Sequence, residues 1–501
     1  MNVDKMVEAL QGAVTFLGIT GSIQREVTGL AYDTRDVKDG YAFFALKGIH
    51  TDGHRFITDA IKHGASVVFH SEDLDYYNTG TTYLKVSNTR TCMAPVSACF
   101  YGYPSEKLTC IGVTGTDGKS TTVSLLHQLL SLSGIKAGFI STVQFDTGDG
   151  AQKNHYRQST PEATEIHKIL CEMVENGCTH AVIEATSHGL SPLNNRLGSI
   201  DFTAGILTNI SHEHLEFHKT LERYVDDKAN LFRRIKAENG FGVINGDEPR
   251  RAYFASASAA PVVYYSTKDR NADIFADAIT ETPAGESFTI HAEDFSGEAD
   301  INLPGIFNVE NTLAAVLTVS RLTGKSVKFC IPFLPQLQPV AGRMNFIKTG
   351  KDFRVLVDYA HTPGAYLKLF PILRKRTEGR LIAVFGSAGE RDTEKRQVQG
   401  EIASRYADII ILTDEDPRGE NPQRILEDIK EGCRQKTEGK DLFLVQDRRE
   451  AIKAAIRTAG KGDLVVLLGK GHESSIIYSN GPSPWDEKAE AEKALAETGV
   501  Y

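Results

Sequence analysis

Cysteine is scarce and unpatterned in this chain. Seven occur in 501 residues (Cys92, Cys99, Cys110, Cys171, Cys178, Cys330 and Cys433), and no C-x-x-C pair is among them. An odd, scattered set argues against a disulfide framework or a cysteine-built zinc site and fits reduced thiols in a cytosol. Long apolar runs are also missing, so no stretch has the length to span a bilayer. The N-terminus, Met1-Asn2-Val3-Asp4-Lys5, lacks the basic region and apolar run of a secretory signal. Positive charge is not in excess. A net charge of −9 argues against a general nucleic-acid or membrane-surface binder, while a local basic pocket could still hold phosphates. The expectation is a cytoplasmic monomer that works on small molecules, with no nucleic acid and no membrane among its partners.

What is present is punctuated. With 41% apolar and 24% charged residues the composition is that of a globular protein, and 501 residues exceed one ordinary core. About three domains are expected, drawn at 1–106, 107–340 and 341–501. The stretch Ile111-Gly112-Val113-Thr114-Gly115-Thr116-Asp117-Gly118-Lys119-Ser120-Thr121 is entered by an apolar run of strand type, and a helix is predicted from Ser120 onward. That is the build of a phosphate-binding loop. Glycines let backbone N–H groups approach phosphate oxygens, and the helix N-terminus adds positive potential. Lys119 can reach the β- and γ-phosphates, and the Ser120 hydroxyl can ligate Mg²⁺. The pattern is T-G-T-x-G-K-S-T; the first glycine of the commoner G-x-x-x-x-G-K-[ST] would fall at Val113.

Before this loop, apolar runs of strand length occur at 42–46 and 65–69, with helical spacing between them. Thr34 and Arg35 precede a turn, where a hydroxyl and a guanidinium can hold a phosphate or sugar; taken alone, a solvated turn is the plainer account. After the loop, strands and helices alternate as in a doubly wound parallel sheet, an α/β class. His180–Glu184 reads as a buried strand ending on a carboxylate, and 204–209 repeats the design and delivers the His-rich stretch 211–218. Acidic and imidazole groups thus emerge at carboxyl ends of strands, where open α/β sheets bind ligands. Glu184 and His214 are therefore candidate ligands of a divalent cation. Lys228 follows Tyr224 by one turn of an amphipathic helix and reads as a surface lysine paired with Asp227 or Glu222. Short β-type runs at 262–265, 287–291 and 299–303 suggest a sheet covering an edge of the central domain. In the last segment, 355–358, Leu381–Phe385, Ile409–Leu412 and Leu464–Leu468 are strand candidates that each run into a polar loop, and together they predict one composite ligand site.

These motifs, in this order, resemble the Mur ligases of peptidoglycan synthesis across essentially the whole chain. The likeness rests on the phosphate loop, Glu184 in E-A-T-S-H-G-L, His214 in H-E-H-L-E-F-H, Tyr224 and Lys228 in Y-x-x-x-K, Asn308 and Asn311 in F-N-x-x-N, Arg343 in G-R-M, and Asp358 and His361 in D-Y-A-H-T-P. D-Y-A-H-T-P-G and G-K-G-H-E are particular to the branch that adds the third residue of the stem peptide. The resemblance implies a small N-terminal α/β domain holding the UDP end of the substrate, a central P-loop ATPase, and a C-terminal Rossmann-like domain for the incoming amino acid. It implies an ADP-forming ligase: ATP phosphorylates the D-Glu carboxylate of UDP-MurNAc-L-Ala-D-Glu, and the amine of a diamino acid displaces phosphate. By the same resemblance Thr114, Gly115, Thr116, Asp117, Gly118, Lys119, Ser120, Thr121, Asn308, Arg343 and Asp358 bind ATP. Ser120 and Glu184 would hold one Mg²⁺ and His214 a second. Lys228, against its surface reading, would carry a CO₂-derived carbamate. Lys119, Lys228, His214 and Arg343 form the implied catalytic group, with Arg343 neutralising charge on the transferred phosphoryl group. Thr34 and Arg35 resemble the uridine-diphosphate contacts, and Ser159, Thr160, Ser187 and Arg196 those to the muramoyl dipeptide.

The implied amino-acid pocket departs from type. Members of this branch that use meso-diaminopimelate carry D-N-P-R, whose arginine binds the distal carboxylate, and lysine-adding members generally lack that arginine. Here the stretch is Glu415-Asp416-Pro417-Arg418. Arg418 can pair with a carboxylate in bidentate fashion, which points to meso-diaminopimelate. Asp416 is an extra anion and points instead to a side chain ending in a bare ammonium, L-ornithine or L-lysine. Arg391, Gly469 and Glu473 would serve the shared α-carboxylate and amine in either case, and meso-diaminopimelate is placed first. The rivals are a folylpolyglutamate-synthetase-like ligase, which the N-terminal segment and G-K-G-H-E argue against, and a non-catalytic ATP-binding scaffold.

Overall fold

The computed structural model describes residues 1–48, 51–156, 158–211, 215–282 and 284–497. Its strands form three separate larger sheets and one hairpin. The first sheet has the order Phe16–Thr20, Thr82–Val86, Ala65–His70, Tyr41–Phe44, Gly29–Ala31 and is parallel except for its first strand. The second has eleven strands around a parallel centre ordered Val262–Ser266, Phe241–Asn245, Ala204–Leu207, Thr109–Thr114, His180–Glu184, Ala137–Ile140. The third runs Asn345–Ile347, Arg354–Asp358, Leu464–Leu468, Leu381–Phe385, Ile409–Leu412, Leu442–Leu444, with only its first strand antiparallel. Parallel strands covered on both faces are apolar throughout, and for that reason the runs at 180, 381, 409 and 464 stand out in the sequence.

The β-type runs after residue 260 are not a separate covering sheet. Val262–Ser266 pairs in parallel with Phe241–Asn245, and Ile274–Glu281, Glu286–Ala292 and Phe295–Ile301 continue the same sheet, the last two antiparallel. Phe288 and Ile290 turn to one face and pack in one core with Val309, Leu313 and Val316 of the helix Ile306–Thr323. A single covered face suits an antiparallel extension, whose alternation leaves the other face to water.

Three glycines side by side set the placement of a key helix. Gly112, Gly205 and Gly242 are register partners on adjacent central strands. A Cβ at Gly112 would lie 2.3 Å from Leu231 Cδ1, one at Gly205 2.9 Å from Ile235 Cδ1, and one at Gly242 3.1 Å from Phe232 Cε1. The bare floor lets the helix Leu221–Arg233 lie close to the sheet, so that Lys228, one turn before Phe232, reaches the phosphate loop.

Candidate active site

The loop leaving Thr109–Thr114 turns on two left-handed glycines, Gly115 at φ +143° and Gly118 at φ +84°. Neither tolerates a side chain: a Cβ would stand 1.9 Å from Thr208 Oγ1 at Gly115 and 2.5 Å from Asn311 Oδ1 at Gly118. Asn209, at the end of the neighbouring strand, clasps the loop, accepting from Asp117 N at 3.0 Å and donating to Asp117 O at 3.1 Å. The helix Lys119–Leu132 follows, so the loop's N–H groups and the helix N-terminus converge as a phosphate seat requires. Lys119 Nζ donates to Thr116 O at 2.7 Å.

A cavity of about 240 Å³ opens over this loop. Thr116, Asp117, Gly118, Lys119, Ser120, Thr121, Ser159, Glu184, Ser187, Lys228, Asn308, Arg343 and Asp358 all line it. Thr114 and Gly115 lie behind it, and the Gly115 carbonyl accepts from Lys228 Nζ at 2.6 Å. Lys228 is 1% exposed, with its ammonium 4.6 Å from the Tyr224 ring centroid. The surface reading of this lysine fails because the helix turns it inward, and Asp227 bonds His218 instead. On one wall the Glu184 carboxylate accepts from Ser120 Oγ at 2.9 Å, Thr142 N at 2.8 Å and Thr142 Oγ1 at 2.9 Å. A hydroxyl and a fixed carboxylate beside a phosphate loop are hard oxygen donors of the kind Mg²⁺ takes, so the residues fit that ion. His214 lies outside the described residues. Among the described residues no cluster of three His, Cys, Asp or Glu side chains is assembled for a metal.

The opposite wall comes from the third sheet. Asp358 accepts from Met344 N and Ala360 N, each at 2.7 Å; burial pushes its carboxyl up while Arg343 opposes the shift. Arg343 stacks on Tyr359 at 4.6 Å. Lys368, on the helix Pro363–Lys375, pairs with Asp117 Oδ2 at 3.0 Å and so ties this wall to the phosphate loop. Lys368 carries no signal in the sequence, since its partner is 251 residues away. Asn209 could have been found as a polar residue just beyond an apolar strand.

Tyr359 joins the cavity to a second polar group, donating to Glu473 at 3.2 Å. Lys470 is fully buried and pairs with Asp416 Oδ1 at 2.8 Å and with Glu473; these anions hold its ammonium up against burial. Asp416 also accepts from Ile477 N at 2.9 Å, whereas the Arg418 guanidinium stands 3.9 Å from its other oxygen. Arg418 Nε and Glu415 Oε2 are buried without a hydrogen-bond partner among the described residues, and burial pushes the Glu415 carboxyl up. Pro417 sets the turn into Arg418, whose φ is +56°, and the close packing of Gly469 on Glu415 leaves 2.6 Å for a Cβ. Arg391 is exposed at the rim of this sheet's loops.

The residues expected at the muramoyl peptide and UDP divide. Ser159 and Ser187 face the cavity, whereas Thr160 is buried behind it, its hydroxyl donating to Glu184 O at 2.8 Å. Arg196 donates to Thr160 O at 3.3 Å and pairs with Glu162 at 3.1 Å. Arg35 is held by Asp33 beside Thr34, away from the cavity.

Three family models match the chain. Residues 26–101 match the model of the Mur ligase family, catalytic domain; 113–319 that of the Mur ligase middle domain; and 342–471 that of the Mur ligase, glutamate ligase domain. The UDP-N-acetylmuramyl-tripeptide synthetase of Borreliella afzelii is 47% identical over 480 residues, covering 95% of both chains. The UDP-N-acetylmuramoyl-L-alanyl-D-glutamate–2,6-diaminopimelate ligase of Caldanaerobacter subterraneus is 36% identical over 494 residues, covering 99% of each. A solved structure of a ligase of that second name, 28% identical, superposes over 100% of both chains with a TM-score of 0.65. With relatives of this identity aligned nearly end to end, the chain belongs to the Mur ligase family of enzymes.

Proposed function

We propose that this chain is the ATP-dependent, ADP-forming ligase that adds a diamino acid to the D-Glu carboxylate of UDP-MurNAc-L-Ala-D-Glu. One observation carries the reading: the phosphate loop, the Ser120–Glu184 pair and Lys228 face Arg343 and Asp358 across a single cavity. In this reading the chain works as three bodies, 1–106 for the UDP end, 107–340 for ATP and 341–501 for the amino acid.

A carboxylate is a poor electrophile, so it must first become an acyl phosphate, and the chain's residues suit that step. The loop amides and Lys119 hold the phosphates of ATP, and Arg343 offsets the charge that grows on the phosphoryl group in flight. Ser120 and Glu184 would hold Mg²⁺, which supplies charge neutralisation at the phosphates when bound. Lys228 has the burial and the cavity face that a carbamate needs, with its N–H still able to donate to Gly115 O. The amine then attacks the acyl phosphate, a C–N bond forms, and phosphate leaves with the electron pair of the broken C–O bond. Closing the cavity between two walls keeps water from that intermediate.

For the amino acid, the unpartnered Nε of Arg418, with Asp416 taken by Lys470, favours a distal carboxylate and hence meso-diaminopimelate. A second reading, L-ornithine or L-lysine, has its own support in the unpartnered Oε2 of Glu415, which an ammonium would satisfy. The test is ligation by the full chain with UDP-MurNAc-L-Ala-D-Glu, ATP and Mg²⁺, offered each of the three amino acids separately. Product with meso-diaminopimelate alone is expected. Product only with ornithine or lysine gives the pocket to Glu415, and no product with any of them, or turnover by Lys119→Ala, overturns the assignment.

A further inference from the structure

His218 and Asp227 have no part in the steps above, yet both are buried and linked to a cavity residue. His218 ends the short helix Leu215–His218, and Asp227 lies on Leu221–Arg233. Their side chains are 0% and 6% exposed. His218 Nδ1 stands 2.8 Å from Asp227 Oδ2, and Nε2 stands 2.9 Å from Ser187 Oγ. The Tyr224 ring, 5.2 Å away and nearly edge-on, and Phe217, at 4.7 Å, hold the imidazole plane.

The polarity of this chain follows from its last member. A carboxylate only accepts, so Nδ1 carries a ring proton, and in the tautomer protonated there alone Nε2 is an acceptor. In that tautomer Ser187 Oγ–H donates to it. The Ser187 oxygen would then meet the cavity through its lone pairs, with its proton turned away. A serine without this partner would rotate freely and present either a donor or an acceptor.

We propose that Asp227 holds His218 in this tautomer and that the two are positioning residues that act through Ser187, fixing its hydroxyl as an acceptor for an N–H group of the bound muramoyl peptide. The inference rests on the reading of Ser187 as a contact to that substrate. A buried network of this kind is worth most when every member is satisfied, and a double-mutant cycle apportions it.

The experiment uses the full chain with UDP-MurNAc-L-Ala-D-Glu varied at saturating ATP and amino acid, and then ATP varied in turn. Asp227→Ala should raise KM for the muramoyl peptide about tenfold, the scale of one lost hydrogen bond, with KM for ATP changed less than about twofold. In a Ser187→Ala background the same substitution should add less than about twofold. His218→Gln, whose amide oxygen can accept from Ser187 unaided, should keep KM within about threefold of the parent and be insensitive to Asp227→Ala. An equal cost of Asp227→Ala in both backgrounds, or a parallel rise in KM for ATP, overturns the proposal and leaves a helix tie. If Ser187→Ala alone leaves KM for the muramoyl peptide unchanged, the reading of Ser187 fails first and takes the proposal with it.

Discussion

Lys228 shows how far a residue's role depends on what the fold does around it. In sequence it has an acidic neighbour and an amphipathic helix; in the structure it is 1% exposed, hydrogen-bonded to Gly115 O and set over the Tyr224 ring. A buried amine facing a phosphate site is a place where carbamate formation is reasonable, since the change from cation to anion is then read by charges nearby. Starting from the ammonium, one proton leaves to free the amine and a second leaves as the amine adds CO₂. Protein equilibrated with ¹³C-bicarbonate should show a carbamate carbonyl resonance that is absent in Lys228→Ala. If both proteins show the same spectrum, the lysine acts as an amine and its modification is ruled out.

At the scale of elements, the glycine row beneath the helix Leu221–Arg233 is the feature that delivers Lys228. Gly112→Ala would press a methyl into Leu231, and overpacking of a buried site costs about 1–3 kcal/mol. The helix would shift outward and carry Lys228 with it, so chemical denaturation should show that loss while kcat falls further than stability alone explains. A variant with unchanged kcat would separate the helix position from catalysis. The same elements show what was legible beforehand. The strands Leu381–Phe385, Ile409–Leu412 and Leu464–Leu468 are apolar throughout, His180–Glu184 is apolar between its two end residues, and the phosphate loop is fixed by glycines that must turn left-handed, so these could be read from the letters. The short strands Gly29–Ala31 and Gln152–Lys153 left no pattern, because two or three residues at a sheet edge carry too little periodicity. The Ser187–His218–Asp227 chain and the Lys368–Asp117 pair were illegible for another reason: each joins side chains across turns or sheets, and spacing along the chain says nothing about such contacts.

Across the whole molecule, one helix decides whether the cavity has two walls. Pro363–Lys375 presents Lys368 to Asp117 at the cavity, and just beyond its end Arg376 grips the extended edge of the central sheet. Arg376 donates to Glu286 Oε1 and to Gly285 O, each at 2.8 Å, and Lys375 pairs with Glu281 at 2.9 Å. Glu286 is 3% exposed and also accepts from Gly305 N at 2.6 Å, so loss of Arg376 would leave a buried carboxylate short of its partner. Arg376→Ala should therefore cost about 3 kcal/mol of stability. Lys368→Ala removes a pair whose lysine is 44% exposed and should cost less than about 1 kcal/mol. Both should raise KM for ATP, because each loosens the wall that bears Arg343 and Asp358. Denaturant unfolding and KM for ATP, measured on the two variants, separate the contributions: a low KM in Arg376→Ala despite its lost stability would mean that the wall is held at the cavity by Lys368 and Asp117, with the far grip serving the fold alone.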